Sequence, residues 1–232
     1  MTAHLVRYDS PPAPPADQMA LDETLLLASP DSTAWLRFYT WDAPAITFGF
    51  AQRWHAVEPH VPGGNLSRAA RRPTGGGIVR HGSDLTFSAG FPAPPVWNPA
   101  RLYANLHTRL LRALDSAGIS ATLRTAPSAN PPAPDTPDGP LQCFVSPVPM
   151  DIMTPDGRQK LLGGALRRAS RVLYQGTLLL SPALPDTPAL RDSIARAWAS
   201  FLALPNILPA TPPPPSPALL AKYHSPAWLA RR

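Results

Sequence analysis

Cysteine occurs once among 232 residues, as Cys143, so no internal disulfide can form and a cytoplasmic setting is the simplest expectation. Lysine occurs only twice, as Lys160 and Lys222, so chemistry that needs a compact ammonium must use one of these two. No run of 18 apolar residues exists, which excludes a transmembrane helix. The opening MTAHLVRYDSPPAPP has no apolar segment of the signal-peptide kind, so secretion is not expected. With one cysteine and six widely spread histidines, a metal site is not expected either. The phosphate-binding Gly-Lys-Ser/Thr, the dinucleotide glycine fingerprint and the G-x-S-x-G elbow are all missing.

What abounds is proline, at 33 residues, where ordinary usage is about 5%. Proline avoids helix interiors and central strands, so loops, caps and tails must hold it. An apolar fraction of 44% with six tryptophans still supplies a core, and the length suits one domain with a small appendage. The formal charge is +6, which favours acidic partners. The basic residues are scattered in short groups such as Arg71-Arg72 and Arg167-Arg168, without a helix-turn-helix, zinc-finger or RNA-binding pattern. Neither nucleic acid nor a membrane is therefore the expected partner.

Periodicity divides the chain as follows. Asp17 is read as capping a helix over 18–28, with Met19, Ala20, Leu21, Leu25 and Leu26 on one apolar side. Strands are expected over 35–39 and 45–50, then on both sides of a glycine-rich turn between Arg71 and Phe91. Asn98 caps, and Pro99 opens, a helix with Leu102, Leu106, Leu110 and Leu114 four apart, stopped by Gly118. Leu123 starts a short strand, and 126–149 reads as a proline-rich loop holding Cys143. Strands follow over 148–153, 159–162 and 171–180, with Asp156-Gly157 as a hairpin turn. Thr187-Pro188 opens a helix with Leu190, Ile194, Trp198 and Phe201 inward. The expected domains are a catalytic unit over 1–204, then a semi-extended spacer and a short helix over 205–232 that pack on it. Mixed helices and hairpins imply an α/β (α+β) class: a mixed, largely antiparallel sheet flanked by helices.

Three segments could carry chemistry, and each has a plain structural alternative. Gly75, Gly76 and Gly77 can bring the backbone close to a ligand, or simply turn a hairpin. His81, closing that segment, can be a catalyst or a hydrogen-bonding structural residue. Cys143 can be a nucleophile or a small buried hydrophobe. Lys160, at the start of a strand with Gly163-Gly164 just beyond, can serve a site or be a solvated surface cation.

Together, Met19-Ala-Leu-Asp-Glu, Arg37-Phe-Tyr-Thr-Trp, Arg72-Pro-Thr-Gly-Gly-Gly and His81-Gly-Ser-Asp-Leu-Thr-Phe-Ser resemble the lipoate–protein ligase and octanoyltransferase family. So do Lys160-Leu-Leu-Gly-Gly-Ala-Leu-Arg-Arg and Tyr174-Gln-Gly-Thr-Leu-Leu-Leu, in the same order, and Ala221-Lys-Tyr-His-Ser-Pro-Ala-Trp228 is similar to the family's closing segment. The resemblance implies a biotin/lipoate-ligase-like fold. It implies that Arg71, Arg72, Gly75, Gly76, Gly77, His81, Gly163, Gly164 and Ala165 line a tunnel for an eight-carbon acyl chain, with Lys160 on the acyl carbonyl. Ligases of the family activate the acid with Mg-ATP, commonly with an accessory domain for which this chain has no room. One transferase branch instead passes octanoate from acyl carrier protein through a Cys-Phe cysteine, which Cys143-Phe144 match. The resemblance is thus closest to the cysteine-dependent octanoyltransferases, with Cys143 and Lys160 catalytic, no cofactor, and acyl carrier protein and lipoyl-domain proteins as partners. An ATP-dependent ligase and a non-catalytic binder of acyl groups or lipoyl domains are the alternatives. The chain departs from the family's usual Gly-Ser-Ala-Gln at Gly163-Gly164-Ala165-Leu166, from its Gln-His-Gly at Tyr174-Gln175-Gly176, and from an Arg of the Cys-Phe branch at Gly77.

Overall fold

A computed structural model describes residues 4–125, 142–181 and 184–231 of the chain. In order come β1 (His4–Asp9), α1 (Pro15–Ala28), β2 (Ala34–Tyr39), β3 (Ala45–Phe48), α2 (Trp54–Val57), β4 (Ala69–Arg71), β5 (Ile78–His81) and β6 (Asp84–Pro92). Then follow α3 (Pro99–Ser116), β7 (Thr122–Leu123), β8 (Ile152–Met153), β9 (Lys160–Arg168), β10 (Arg171–Leu179), α4 (Pro188–Phe201), β11 (Asn206–Ala210), α5 (Pro217–His224) and α6 (Pro226–Leu229). The main sheet runs β11-β1-β2-β6-β10-β9-β8-β7, and a small sheet runs β4-β3-β5. Strands β11, β1 and β2 pair in parallel, and the rest of the main sheet is antiparallel. The expected class, a mixed and largely antiparallel sheet flanked by helices, is what the chain adopts.

Helices α3 and α4 cover one face of the main sheet. Leu106, Leu110 and Leu114 of α3 and Trp198 of α4 close over Phe38, Phe87, Phe91 and Tyr174; each such side chain contributes about 1.5–3 kcal/mol on burial. Asn98 caps α3 as the sequence indicates, its Oδ1 accepting from the Arg101 N–H at 2.9 Å. Thr187 does the same for α4 through the Leu190 N–H.

Helix α1 differs from the amphipathic expectation. It is buried nearly all round, Gln18, Asp22, Glu23 and Thr24 included, because it lies on the other face of the main sheet with α5 and the small sheet against its remaining sides. Asp17 does not cap it: Pro14 precedes the first turn, and Asp17 bonds His224 of α5 at 2.6 Å. The presumed spacer after residue 204 contains β11, paired in parallel with β1 from His4↔Asn206 to Tyr8↔Ala210. Prolines are tolerated there because β11 is an edge strand. The strand expected over 148–153 shrinks to Ile152–Met153, since Met150 takes φ 71° and turns the chain. The lysine strand runs instead to Arg168. Of the expected proline-rich loop, residues 126–141 lie outside the described residues.

Candidate active site

Between the two sheets lies a cavity of about 480 Å³, its open mouth included. Thr86 of β6, Gln175 and Thr177 of β10 and Gly163–Ala165 of β9 form its floor, and Thr47, Val79 and His81 of the small sheet its roof. Floor residues follow from strand parity: Gly163 pairs with Thr177, and Ala165 with Gln175, so all four face one side. Met19 of α1, Trp41 and Phe144 supply apolar wall.

Eight of the eleven residues proposed from sequence meet here: Arg72, Gly76, His81, Cys143, Lys160, Gly163, Gly164 and Ala165. Gly75 and Gly77 lie in the adjoining turn and offer backbone groups only; Gly75 and Gly77 carbonyls accept from Arg72 at 3.0 and 2.9 Å. Arg71 is placed elsewhere. Consecutive residues on a strand point to opposite faces, and its guanidinium donates to the carbonyls of Phe50, Gln52, Trp228 and Leu229. It thereby ties the small sheet to α6 rather than lining the cavity.

Cys143 is fastened to β5, its N–H donating to the Ile78 carbonyl at 3.0 Å. Its Sγ accepts from the Gly77 N–H at 3.0 Å, and the sulfur and the Arg72 guanidinium both border Gly76. Lys160, only 6% exposed, brings its Nζ to 2.8 Å from Asp151 Oδ2 and 3.0 Å from the Cys143 carbonyl oxygen. Its ammonium also sits 5.3 Å from the Phe144 ring centre. Nucleophile-type sulfur and ammonium therefore share one end of the cavity.

Gly163 makes this possible: a Cβ there would overlap Cε and Nζ of Lys160, so only glycine lets the lysine cross the strand. Asp151, fully buried, also accepts from the Val148 N–H at 2.7 Å and from the Tyr103 hydroxyl, which in turn accepts from the Gly164 N–H at 3.1 Å. Below this turn, His107 Nδ1 meets the Met150 carbonyl at 2.8 Å and Nε2 meets the Tyr174 hydroxyl at 2.9 Å. Burial pushes the His107 pKa down to about 3, which keeps the imidazole neutral.

His81 is likewise buried. Its rings' neighbours are Trp41, stacked at 4.0 Å, Thr47 Oγ1 at 2.8 Å from Nε2 and Asp84 Oδ2 at 2.8 Å from Nδ1. Burial lowers its pKa more than the Asp84 charge raises it. Asp84 loses some stability of its charge to burial, but His81, the Gly82 N–H and Thr86 hold its carboxyl below the usual range. Both ring nitrogens of His81 are thus engaged, and neither is free to take a proton from a substrate in this arrangement.

Asp151, Tyr103, His107 and Thr47 carry no sequence signal of their own, and Gln175 stands out there only as a departure from the family pattern. Gln175 Nε2 donates to Asp22 at 2.8 Å, and its Oε1 accepts from Thr74 at 2.7 Å, tethering the glycine-rich loop to the buried Asp22–Arg37 pair. Asp22 and Asp84 stand inside motifs already noted, so their signal was available. Asp151 gave none, because its place depends on the turn at Met150. Among the described residues no group of three potential metal-ligating side chains occurs, and no helix is long and apolar enough to cross a membrane.

Residues 14–197 match the lipoyl protein ligase A/B catalytic domain. Octanoyltransferase LipM of Geobacillus kaustophilus is 30% identical over 185 residues, 74% of this chain and 64% of that protein. Octanoyltransferase LipM of Carboxydothermus hydrogenoformans is 29% identical over 171 residues, 71% of this chain and 61% of that protein. The chain thus spans less than two thirds of the length of these relatives. Among solved structures, lipoate-protein ligase A bound with ATP superposes with a TM-score of 0.70 at 18% identity, over 99% of both chains. The bi-partite lipoate protein ligase of Thermoplasma acidophilum gives 0.70 at 17% identity, over 99% of this chain and 97% of that one. At such identities the likeness is one of fold.

Proposed function

The chain belongs to the lipoyl protein ligase A/B catalytic domain family, and from that premise we propose that it transfers an octanoyl or lipoyl group to a lysine of a lipoyl-domain protein through a thioester on Cys143. The observation that carries this reading is the meeting of Cys143 Sγ, the Arg72 guanidinium and the Lys160 ammonium at one end of a partly apolar cavity. The names of the relatives, octanoyltransferases, agree with it.

In the first step the Cys143 thiolate attacks the acyl carbon of octanoyl–acyl carrier protein. The bond from that carbon to the carrier's sulfur breaks, and the carrier leaves and takes up a proton. Lys160 and Arg72 supply positive charge where the carbonyl oxygen becomes negative, in a site largely closed to water. In the second step the neutral amine of the acceptor lysine attacks the same carbon. The bond to Cys143 breaks, an amide forms, and the proton lost from nitrogen is matched by one gained at sulfur. One thioester replaces another and the amide lies downhill, so the route consumes no nucleotide. Burying an eight-carbon chain at about 0.8 kcal/mol per CH₂ contributes about 5 kcal/mol, which disfavours much shorter acids. The +6 charge steers acidic carriers and acceptors toward the chain.

Intact-mass spectrometry tests the reading. The protein is mixed with octanoyl–acyl carrier protein and an apo lipoyl domain, with and without Mg-ATP. An octanoyl adduct on wild type but not on Cys143→Ser, without ATP, is the expected result. Product that forms only with Mg-ATP and free acid, and that survives Cys143→Ser, assigns ligase chemistry instead. Binding with neither adduct nor product assigns a non-catalytic role.

A further inference from the structure

Thr47 touches neither the sulfur nor the lysine, yet its hydroxyl joins the two polar halves of the cavity roof. Arg72 is a buried cation that meets no carboxylate among the described residues: it donates to Thr47 Oγ1 at 2.8 Å and to the Gly75 and Gly77 carbonyls, and it borders Gly76 together with the Cys143 sulfur. A guanidinium has only donors, so toward Arg72 the Thr47 oxygen can only accept. Its own hydrogen must go elsewhere, and His81 Nε2 at 2.8 Å is the partner in place. An Nε2 that accepts leaves the ring proton on Nδ1, which donates to Asp84 Oδ2 at 2.8 Å. Asp84 is saturated from the other side by Trp41, Thr86 and Gly82. Every bond in the chain Arg72, Thr47, His81, Asp84 therefore has one direction.

This arrangement has an electrostatic consequence. A carboxylate paired directly with Arg72 would neutralise it. Here the counter-charge stands behind two neutral groups, so the guanidinium is held in place with its positive charge still facing Cys143 Sγ. We propose that Thr47 is a positioning residue for acyl transfer, whose hydroxyl orients Arg72 on the Cys143 sulfur and locks His81 as the Nδ1–H tautomer. The kinetic consequence rests on the acyl-transfer reading above, whereas the thiol reactivity and the tautomer do not.

The test uses the full chain. Thr47→Val keeps the shape and removes the hydroxyl; Thr47→Ser keeps the hydroxyl. Two rates are measured at one fixed pH, alkylation of Cys143 by iodoacetamide and octanoyl transfer from octanoyl–acyl carrier protein. Thr47→Val is expected to lower both about tenfold, the scale of one charge-assisted hydrogen bond, with KM changed less than about twofold. Thr47→Ser is expected to restore both to within about threefold of wild type. Nitrogen NMR of the wild type is expected to show His81 protonated at Nδ1 and not at Nε2. Wild-type alkylation by Thr47→Val, failure of the serine variant to restore it, or a proton on Nε2 would overturn the proposal. Should Thr47→Val not fold, the serine variant and the tautomer decide. If the wild type never transfers an acyl group, the acyl-transfer reading fails while alkylation and NMR still judge Thr47.

Discussion

Gly163→Ala displaces the Lys160 ammonium and crowds the Asp151 carboxylate that holds it. The added methyl would overlap Cε and Nζ of Lys160, whose head is held by Asp151 and the Cys143 carbonyl. The flexible lysine yields more readily than the β9–β10 backbone, so the ammonium leaves its place beside Cys143 while the sheet persists. Losing one group that stabilises a developing oxyanion typically costs 10²–10³ in turnover, or about 3–4 kcal/mol. Transfer should therefore slow by about 10²-fold, read at saturating carrier because the methyl also enters the cavity floor. Single-turnover adduct formation on Cys143, followed by mass spectrometry, measures it. Gly164→Ala is the control, one residue along and on the opposite face. There the methyl would overlap the buried Tyr174 ring, wedged against Trp198 and bonded to His107. That overpacking should cost about 1–3 kcal/mol of stability, with the ammonium left in place. An alanine at 163 that forms adduct at the wild-type rate would falsify the placement of Lys160.

Three further outcomes follow from the same contacts. Lys160→Arg should slow transfer about 10²-fold, since a planar fork cannot replace a compact ammonium folded over Gly163; wild-type turnover would remove the lysine from the chemistry. His107 is neutral in the fold down to a pKa of about 3, but titrates near 6.5 when unfolded. The unfolded state thus binds the extra proton between those values, and stability is complete above about 6.5 and falls by roughly 1 kcal/mol per unit as pH drops toward 3. Denaturant melts across that window should show the slope, and His107→Asn should flatten it; identical slopes would refute the assignment. Arg71→Ala would strand four carbonyls at the α6 junction, costing about 2–4 kcal/mol. Calorimetry should register a melting temperature lower by roughly 5–15 °C, and an unchanged value would show that the clamp is dispensable.

The sequence signalled the cavity better than it signalled what holds the cavity together. Gly75-Gly76-Gly77, Lys160 and Cys143 are rare or conspicuous types in a chain with two lysines and one cysteine, so composition alone drew attention to them. Their partners are ordinary residues made important by distance. Asp151 reaches Lys160 across a turn that Met150 closes in a left-handed conformation, and no local pattern foretells that. Arg71 and Arg72 look alike as a pair, yet strand parity sends one to the C-terminal helices and the other to the cavity. Strand β11 was hidden for the opposite reason. Its proline argues against a strand interior, but at an edge its missing N–H is never asked to pair.

Position in the sheet also settles how to read the departures from the usual family pattern. The cavity face of β9 and β10 carries Gly163, Ala165, Gln175 and Thr177, while Leu166 and Tyr174 pack on the α3–α4 side. A side chain at position 164 would share that second side and collide with the Tyr174 ring. Glycine at 164 thus leaves the room that the large Tyr174 ring on β10 occupies. Leu166 and Tyr174, and any side chain at 164, point away from the cavity. Of the four departures on these two strands, Gln175 alone is on the cavity face, and it is engaged by Asp22 and Thr74. The altered motif thus changes the packing behind the floor, while Cys143, Arg72 and Lys160 all line the cavity in front of it.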